Sequence, residues 1–391
     1  MLPLEGITVV SLEQAVAAPF ATRQLADLGA RVIKVERPDG GDFARGYDEA
    51  VRGISSHFVW LNRSKESLTL DLKHADAKLV LHRLLEKADV FVQNLAPGAT
   101  ERLGFGTQVL RKKYPRLIVC DLSGYGSSGP YRDKKAYDML VQAEAGLISI
   151  TGTEETPCKV GISAADIACG MYAYSGILTA LLVRSKTGQG VTLETSLLDA
   201  LGEWMSYPAY YTFGGSAPQR SGPNHATIAP YGPVRSGDNQ MVYIGLQNER
   251  EWKKFCELVL KRPELFADPR FDSNTRRVQN RAQLDLAMQE IFQNLTGAEI
   301  IARLETAQIA NARMNTMQEF VEHPQLKARG RWREVGSPVG PLPALLPPVT
   351  MENVETVMND VPALGQQTDA ILGELGFDGE TIAGWRREKM I

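Results

Sequence analysis

The residue in this sequence best suited to chemistry is Asp166, at the start of the apolar stretch 161–190. A carboxylate at a helix start can be a covalent nucleophile, held ionised by the helix dipole and by free backbone N–H groups. The pattern Ser163-Ala-Ala-Asp166 is also typical of a capping box, in which the acid only stabilises the helix. The spacing alone leaves both interpretations open.

The stretch around Asp166 reads as one helix of about five turns. Apolar residues recur in it at three- and four-residue spacing, namely Ile167, Met171, Tyr174, Ile177, Leu178, Leu181 and Leu182. Gly188 and Gly190 are expected to end it. A face of small residues would let another backbone or a flat ligand come close, and its members are Gly170, Ala173, Gly176 and Ala180.

The elements that must position this helix alternate between strand and helix. A strand at 7–12, a helix at 18–28 and a strand at 31–36 predict a βαβ unit and hence a parallel sheet. Further strands are predicted at 67–72, 90–93, 116–122 and 191–196, with helices at 75–87, 138–149 and 197–213. The fold class is therefore α/β, Rossmann-like. The first turn, EQAVAAP, has no GxGxxG, so Glu36 after the second strand does not indicate a dinucleotide site.

The pattern changes near residue 214, which suggests four regions. Residues 1–213 form a large α/β domain, and 214–233 a Gly/Pro-rich linker whose first part, 214–222, reads equally as a lid. Residues 234–322 form a smaller α+β domain. Residues 323–391 form a crossover with two helices that return to the large domain, and the proline-rich 338–348 is expected to be irregular surface chain.

Composition excludes several classes of function. The 391 residues carry a net charge of −3, so there is no electrostatic case for nucleic acid or an anionic membrane. Four scattered cysteines without a CxxC pair fit a reducing cytosol, and five histidines without a ligand-like cluster argue against a metal site. The N-terminus has no signal-peptide pattern and no apolar run is as long as a membrane span. We expect a cytoplasmic protein without a metal.

Several phrases of the sequence resemble one known family. They are LADLGARVIKVERPDGGDFAR from Leu25, LNRSKESLTLDLK from Leu61, ADVFVQNLAPGATERLGFG from Ala88 and PRLIVCDLSGYGSSGPYRDKKAYDMLVQAEAGL from Pro115. Each resembles a block of the class III CoA-transferases, the group that contains formyl-CoA:oxalate and carnitine CoA-transferases. Order and spacing match over about residues 1–205, and a weaker match with HPQLKARG extends to the C-terminus.

The resemblance implies an interlocked homodimer of two ring-like subunits and ping-pong transfer of CoA through an enzyme carboxylate. Asp166 falls where the family has its catalytic aspartate, so it is the expected nucleophile. The substrates implied are an acyl-CoA thioester and a free carboxylic acid, with no permanently bound cofactor.

The resemblance also implies the contacts of the substrates. The residues matching the family's CoA contacts are Arg37, Lys73, Asn94, Leu95 and Arg102. Oxyanion or substrate contacts are expected at Tyr137, Val16, Gly214 and Gly215. Val16 departs from the formyl-CoA transferases, which have a glutamine before this turn; Gln14 is two residues away and on the opposite side of an extended segment. Oxalate is therefore in doubt as a substrate.

The acid substrate is expected to be a small dicarboxylate of the succinate, mesaconate, itaconate or citramalate type. Phrases such as EQAVAAPFATRQLADLGA resemble members that handle these acids. Arg45, Arg52 and His225 are the candidates to meet a second carboxylate.

Two alternatives remain. Alpha-methylacyl-CoA racemases resemble most of these blocks, but they use a His-Asp pair as a base where this chain has Tyr137-Asp138. A phenol is a poor base near neutral pH. A non-catalytic acyl-CoA-binding protein would keep the CoA groove without needing Asp166.

Overall fold

The computed structural model describes residues 2–391, which divide into two compact units. The first unit comprises the chain up to Ala145, Gly161–Ser206 and Leu326–Ile391. The second comprises Gly146–Val160 and Tyr207–Gln325.

The first unit is built on a parallel sheet with six strands in the described chain, in the order β3-β2-β1-β4-β5-β6. The strands are β1 Thr8–Leu12, β2 Arg31–Glu36, β3 Lys65–Thr69, β4 Val90–Gln93, β5 Ile118–Ser123 and β6 Thr192–Ser196. Their β-branched and apolar residues are buried because helices cover the sheet, as in Val9, Val10 and Phe91, which have no exposed surface. The predicted α/β class is confirmed.

The helices of the first unit lie between these strands and after the last of them. They are α1 Ala17–Asp27, α2 Ser56–Asn62, α3 Ala77–Lys87, α4 Ala99–Leu103, α5 Thr107–Lys113, α6 Asp138–Glu144, α8 Ala164–Thr187, α9 Leu197–Trp204, α16 Pro324–Ala328 at the boundary, α17 Thr368–Glu374 and α18 Gly379–Arg387. A 3₁₀ turn, Phe43–Gly46, follows β2.

The predicted long helix is α8, which ends at Gly188 in the left-handed conformation. It packs most extensively against α1. Gly170 permits this, since a Cβ there would lie 2.6 Å from the Ala17 carbonyl oxygen. At Gly170 the small-residue face is therefore occupied by a helix of the same unit, whereas Gly176 faces Leu193 of β6 and lines a cavity together with Ala173. By length and composition α8 could span a membrane, but core helices of soluble proteins pass the same test, so this is weak evidence.

The second unit has an antiparallel sheet, β7-β8-β9, packed with helices around its own core. The strands are β7 Tyr231–Arg235, β8 Met241–Gly245 and β9 Ala310–Arg313. The helices are α7 Leu147–Ile150, α10 Ser206–Phe213, α11 Glu249–Lys254, α12 Asn274–Gln279, α13 Arg281–Phe292, α14 Gly297–Thr306 and α15 Met317–Val321. A π-helical turn, Phe255–Leu260, and a 3₁₀ turn, Pro263–Phe266, follow α11.

The C-terminal segment completes the first unit. Strands β10 Trp332–Val335 and β11 Leu342–Leu345 form an antiparallel hairpin, so the expectation of irregular chain at 338–348 was wrong. Pro343 is tolerated because a two-stranded hairpin consists of edge strands. Helix α17 covers the edge strand β3, where Thr69 N–H donates to Thr368 Oγ1.

Two predicted helices are each divided. The helix predicted at 138–149 is interrupted where Gly146 adopts a positive φ of 80°. The helix predicted at 197–213 divides at Met205. Strand β3 begins at Lys65, two residues before its predicted start.

Candidate active site

Helix α8 is capped by a residue from another helix. Ser163 makes no side-chain capping bond, so the local capping box read from the sequence was wrong. Asp138, the first residue of α6, accepts hydrogen bonds at Oδ1 from the N–H groups of Ala165 at 2.8 Å and Asp166 at 3.3 Å. Its Oδ2 accepts from Gln142 Nε2 at 2.7 Å. Asp138 thus uses N–H groups that the sequence had assigned to the Asp166 carboxylate.

The carboxylate of Asp166 accepts no hydrogen bond from the residues described. Burial raises its pKa to about 7, and the negative charge of Asp138 adds to the shift. The expectation that the helix start would hold Asp166 ionised is therefore wrong in direction, because lost hydration and a like charge raise its pKa. An unpaired, partly buried carboxylate with a strongly raised pKa is a candidate for a functional group.

The start of α1 offers backbone donors one helical turn from Asp166. Val16, Ala17 and Ala18 are buried, and their N–H groups find no acceptor among residues 2–391. Unpaired buried N–H groups are rare in native proteins. Gly170, whose missing Cβ admits the Ala17 carbonyl, follows Asp166 by four residues, about 6 Å of helix rise. The sequence-predicted contact at Val16 therefore lies beside the helix that carries Asp166.

The expected CoA contacts gather at one edge of the sheet. Arg37 follows β2, Asn94 and Leu95 follow β4, and Lys73 follows β3 by four residues. These loops are neighbours at the carboxyl edge, in the strand order β3-β2-β1-β4. Between β1 and β4 the strand order reverses, and such switch points form ligand crevices in open α/β sheets.

These side chains differ in their exposure and in the contacts they already make with the protein. Lys73 and Arg102 are exposed, with Arg102 Nη1 donating to the Pro97 carbonyl at 3.3 Å. Arg37 donates to the Gly41 carbonyl and stacks on the ring of Phe43. Asn94 exchanges two hydrogen bonds with the backbone of Gln14, at 2.8 and 2.9 Å, and so holds the turn after β1. Leu95 packs against the sheet core.

Two tyrosines lie near Asp166. Tyr137 immediately precedes Asp138 and its ring is 71% exposed. Tyr47, which the sequence reasoning missed, follows the 3₁₀ turn 43–46. Its pKa is raised by burial first, and then by the negative charges of Asp42 and Asp166. No local sequence pattern marks Tyr47, because it approaches Asp166 only through tertiary packing.

The candidates for a second substrate carboxylate are placed differently. Arg45 donates two bonds of 2.8 Å to Glu36 and stacks on Phe58, which argues against a free role in binding. Arg52 is exposed and donates weakly to the Val339 and Pro341 carbonyls. His57, not predicted, contacts the ring of Tyr47 at 5.6 Å and is 3.6 Å from the Asp48 carboxylate.

The remaining predicted residues belong to the second unit. Gly214 ends α10 by donating to the carbonyls of Tyr210 and Tyr211, and Gly215 follows with a positive φ of 108°. His225 stacks on Tyr231 at 5.1 Å and accepts from Thr227 N–H at Nδ1. The segment after Gly215 is tied down where Arg220 donates to the carbonyls of Thr153 and Glu154.

Comparison with known proteins gives consistent matches. The sequence profile of CoA-transferase family III matches residues 4–368. The chain is 33% identical to succinyl-CoA:glutarate CoA-transferase of Mus musculus, over 96% of this chain and 87% of that protein. It is 34% identical to acetyl-CoA:oxalate CoA-transferase of Acetobacter aceti, over 84% of each. A CaiB/BaiF family protein from Brucella suis has a similar structure, with TM-score 0.84, 32% identity and coverage of 96% and 99%.

Proposed function

This chain belongs to CoA-transferase family III, and on that premise we propose that it moves CoA from an acyl-CoA to a small dicarboxylic acid through a covalent intermediate on Asp166. The observation that carries the proposal is the Asp166 carboxylate itself. It is partly buried, unpaired among the described residues and titrates near neutrality, at the start of a helix packed beside unpaired backbone donors.

The covalent steps need only Asp166 and the two substrates. A carboxylate oxygen of Asp166 attacks the thioester carbonyl carbon, the C–S bond breaks and CoA leaves as the thiolate. The thiolate attacks the aspartyl carbon of the resulting mixed anhydride, which releases the donor acid and leaves an aspartyl-CoA thioester. The acceptor carboxylate then attacks that thioester, and the returning thiolate frees Asp166 and forms the new acyl-CoA.

The tetrahedral intermediates need donors for an oxyanion. The unpaired N–H groups of Val16, Ala17 and Ala18 are suited to this, since they are rigidly held, buried and at the positive end of α1. Tyr137 is the proposed side-chain donor. We assign Gly214 and Gly215 a substrate contact on the family resemblance alone.

The CoA moiety needs cations for its phosphates and a surface for its adenine. We propose that Arg37, Lys73 and Arg102 provide the cations, with Asn94 and Leu95 beside them. Their common position at the carboxyl edge of β2, β3 and β4 supports this.

The acid is proposed to be a dicarboxylate because relatives are named for succinyl-CoA with glutarate and for oxalate. Arg52 stays a candidate for the second carboxylate, and His225 stays one on sequence grounds. Arg45 is the least favoured, since Glu36 already holds it.

The active form is proposed to be an interlocked homodimer. In the first unit, apolar side chains near the start of α8 are exposed, among them Tyr137, Met139, Leu140 and Ile162. The cavities of about 340 and 370 Å³ in this unit are lined by residues other than Asp166. A second copy would cover these side chains and enclose the reacting groups.

The test is to trap the intermediate. Wild-type enzyme is mixed with succinyl-CoA without acceptor, quenched in acid, digested and examined by mass spectrometry. We expect CoA attached to the peptide that contains Asp166, and its loss on adding a dicarboxylic acid. An adduct that persists in Asp166→Ala, or CoA transfer without any adduct, would contradict the assignment.

A further inference from the structure

The turn between β1 and α1, residues 13–16, has an unusual backbone. Ala15 has a φ of +63°, in the left-handed region that residues with a Cβ avoid. Such conformations persist only where neighbouring groups hold them, and they concentrate at functional sites. The turn leads directly into the unpaired N–H groups of Val16, Ala17 and Ala18.

One buried carboxylate holds Ala15 in this conformation. Asp42 Oδ1 accepts from Ala15 N–H at 2.8 Å and from Ala44 N–H at 2.9 Å. Its Oδ2 accepts from Lys34 Nζ at 2.6 Å, and Asp42 is 1% exposed. Because Lys34 also contacts Glu13 at 3.3 Å, the lysine ties Asp42 to the residue that opens the turn.

The residue before Ala15 is held from both sides. Asn94 bonds the backbone of Gln14 in both directions, and Gln14 Oε1 accepts from Phe43 N–H at 3.1 Å. Because hydrogen bonds fix both Gln14 and Ala15, the peptide groups of residues 16–18 are held in one orientation. The end of the turn is fixed as well, because the Ala17 carbonyl lies against Gly170 of α8.

We propose that Asp42 is a positioning residue for catalysis: by holding Ala15 in the left-handed conformation, it aims the N–H groups of residues 16–18 at the oxyanion formed at Asp166. The inference rests on the proposed function. It concerns a residue that is not proposed to touch the substrates, since the Asp42 carboxylate is buried and bonded to Ala15, Ala44 and Lys34.

A purely structural role for Asp42 is the competing explanation, since it neutralises Lys34 and caps the 3₁₀ turn 43–46. The two explanations differ in what a glycine at position 15 does. Glycine adopts the left-handed conformation without the Cβ clash, so it restores the turn when Asp42 is gone. It cannot restore the cap of the 3₁₀ turn or the charge beside Lys34.

The experiment compares Asp42→Ala, Ala15→Gly and the double variant as full-length enzymes. We expect Asp42→Ala to lower kcat by about 10²- to 10³-fold, the effect of losing an oxyanion donor, with KM for acyl-CoA changed by less than about threefold. The double variant is expected to regain at least about tenfold in kcat without regaining the lost melting temperature.

Asp27→Asn is the matched control, because Asp27 is equally buried and is likewise ion-paired, in its case with Arg23 and Arg63 where Asp42 has Lys34. It lies at the other end of α1, so we expect lower stability with unchanged kcat. Asp42→Asn is included in case Asp42→Ala does not fold. It keeps a side-chain oxygen that can accept from the Ala15 N–H. We expect it to retain at least about tenfold more activity than Asp42→Ala, or activity within about tenfold of wild type.

The inference is overturned if Asp42→Ala keeps the wild-type kcat, or if adding Ala15→Gly to Asp42→Ala restores none of the lost kcat. It is also overturned if Asp42→Asn loses more than about 10²-fold in kcat. These outcomes bear on the role of Asp42 only once the wild-type enzyme has been shown to form the Asp166 adduct. If wild type forms no adduct, the proposed function fails instead, so the two failures are distinguishable.

Discussion

The carboxylate of Asp138 accepts the backbone N–H of Asp166 at 3.3 Å, so one acid caps the helix whose first turn carries the other. The contact has two opposite effects, one on the stability of α8 and one on the ionisation of Asp166. Capping stabilises the helix start, whereas the charge of Asp138 adds to burial in raising the pKa of the Asp166 carboxyl. The side chain of Asp138 thus both caps α8 and raises the pKa of Asp166.

Replacing Asp166 with Asn is expected to abolish transfer and to stabilise the protein. The folded-state pKa is raised from 3.8 to about 7, so the protonated form is the more stable in the fold. The stabilisation from this group is complete below about pH 4 and is lost as the pH rises through about 7, by at most about 4 kcal/mol. Melting temperatures should therefore favour Asp166→Asn at pH 8, with a gain that shrinks toward pH 4. A gain that is constant with pH would contradict the raised pKa.

Replacing Asp138 with Asn is expected to shift the acid limb of the pH–rate profile to lower pH. Asn keeps an oxygen for the N–H groups of Ala165 and Asp166 but removes the charge, so the Asp166 pKa falls. Burial, the larger cause, stays, so the limb should remain above the pH expected for an exposed aspartate. The measurement is the rate of Asp166 adduct formation from pH 5 to 8. An unchanged limb would show that the charge of Asp138 does not reach Asp166.

Asp138→Ala serves as the control for the cap. It removes the acceptor as well as the charge, and losing a cap destabilises a protein by about 1 kcal/mol. We expect a lower melting temperature for Asp138→Ala than for Asp138→Asn. Equal melting temperatures would mean that the contact does not stabilise α8.

Replacing Gly170 with Ala is expected to impair both activity and stability. The new Cβ would lie 2.6 Å from the Ala17 carbonyl oxygen and 3.0 Å from the ring of Phe20, so α1 must move away from α8. We expect a loss of about 1–3 kcal/mol in the free energy of unfolding, as for other overpacked cores. Because α1 carries the proposed donors, kcat should fall while KM for acyl-CoA changes little. Denaturant titration and steady-state kinetics measure the two effects.

Gly176→Ala in the same helix is the matched control. Its Cβ would meet only Leu193 Cδ1, at an ordinary 3.6 Å. Alanine is favoured over glycine in a helix by about 0.5–1 kcal/mol, so this variant should be neutral or more stable. Similar losses for both variants would show that helix propensity or general packing, and not the approach of Ala17, explains the Gly170 effect.

Replacing Tyr137 with Phe is expected to slow transfer by about one to three orders of magnitude, with the upper part of this range reached if the phenol is a full oxyanion donor. The Asp166 adduct should still form, because the phenol is not the nucleophile. With wild-type enzyme in heavy water, the α-carbon of a 2-methylacyl-CoA should take up no deuterium. Rapid uptake would indicate native proton abstraction and favour the racemase alternative.

The proposed homodimer is expected to persist on dilution to nanomolar concentration. Interlocked subunits cannot separate without unfolding, so thermal unfolding and dissociation should occur together. Sedimentation and melting curves over a range of concentrations measure this. A folded and active monomer would contradict the interlocked arrangement.

The sequence alone was sufficient for the order of the six parallel strands along the chain and for the hypothesis that Asp166 is the nucleophile, but it did not predict the hairpin of β10 and β11. Short β-branched runs such as 31–36 and 90–93 become strands at their predicted bounds, because burial on both faces leaves an unbroken apolar signal. The sequence pattern that predicts the long helix is also local, and so is its position after Asp138. The resemblance then predicted roles for Asp166 and for the loops at the carboxyl edge of the sheet, since those residues lie in continuous blocks of the sequence.

Only the tertiary structure decided the environment of those residues. The helix cap comes from Asp138, 28 residues before Asp166, and the left-handed Ala15 is held by Asp42, 27 residues further on. Burial and a like charge then raise the pKa of a carboxylate whose local context predicted the reverse. Propensity and spacing report on neighbours along the chain, whereas hydration, charge and strain depend on whatever packs against a group in space. The chemistry proposed for Asp166 could therefore be inferred from the sequence, but its protonation and the backbone groups around it could not.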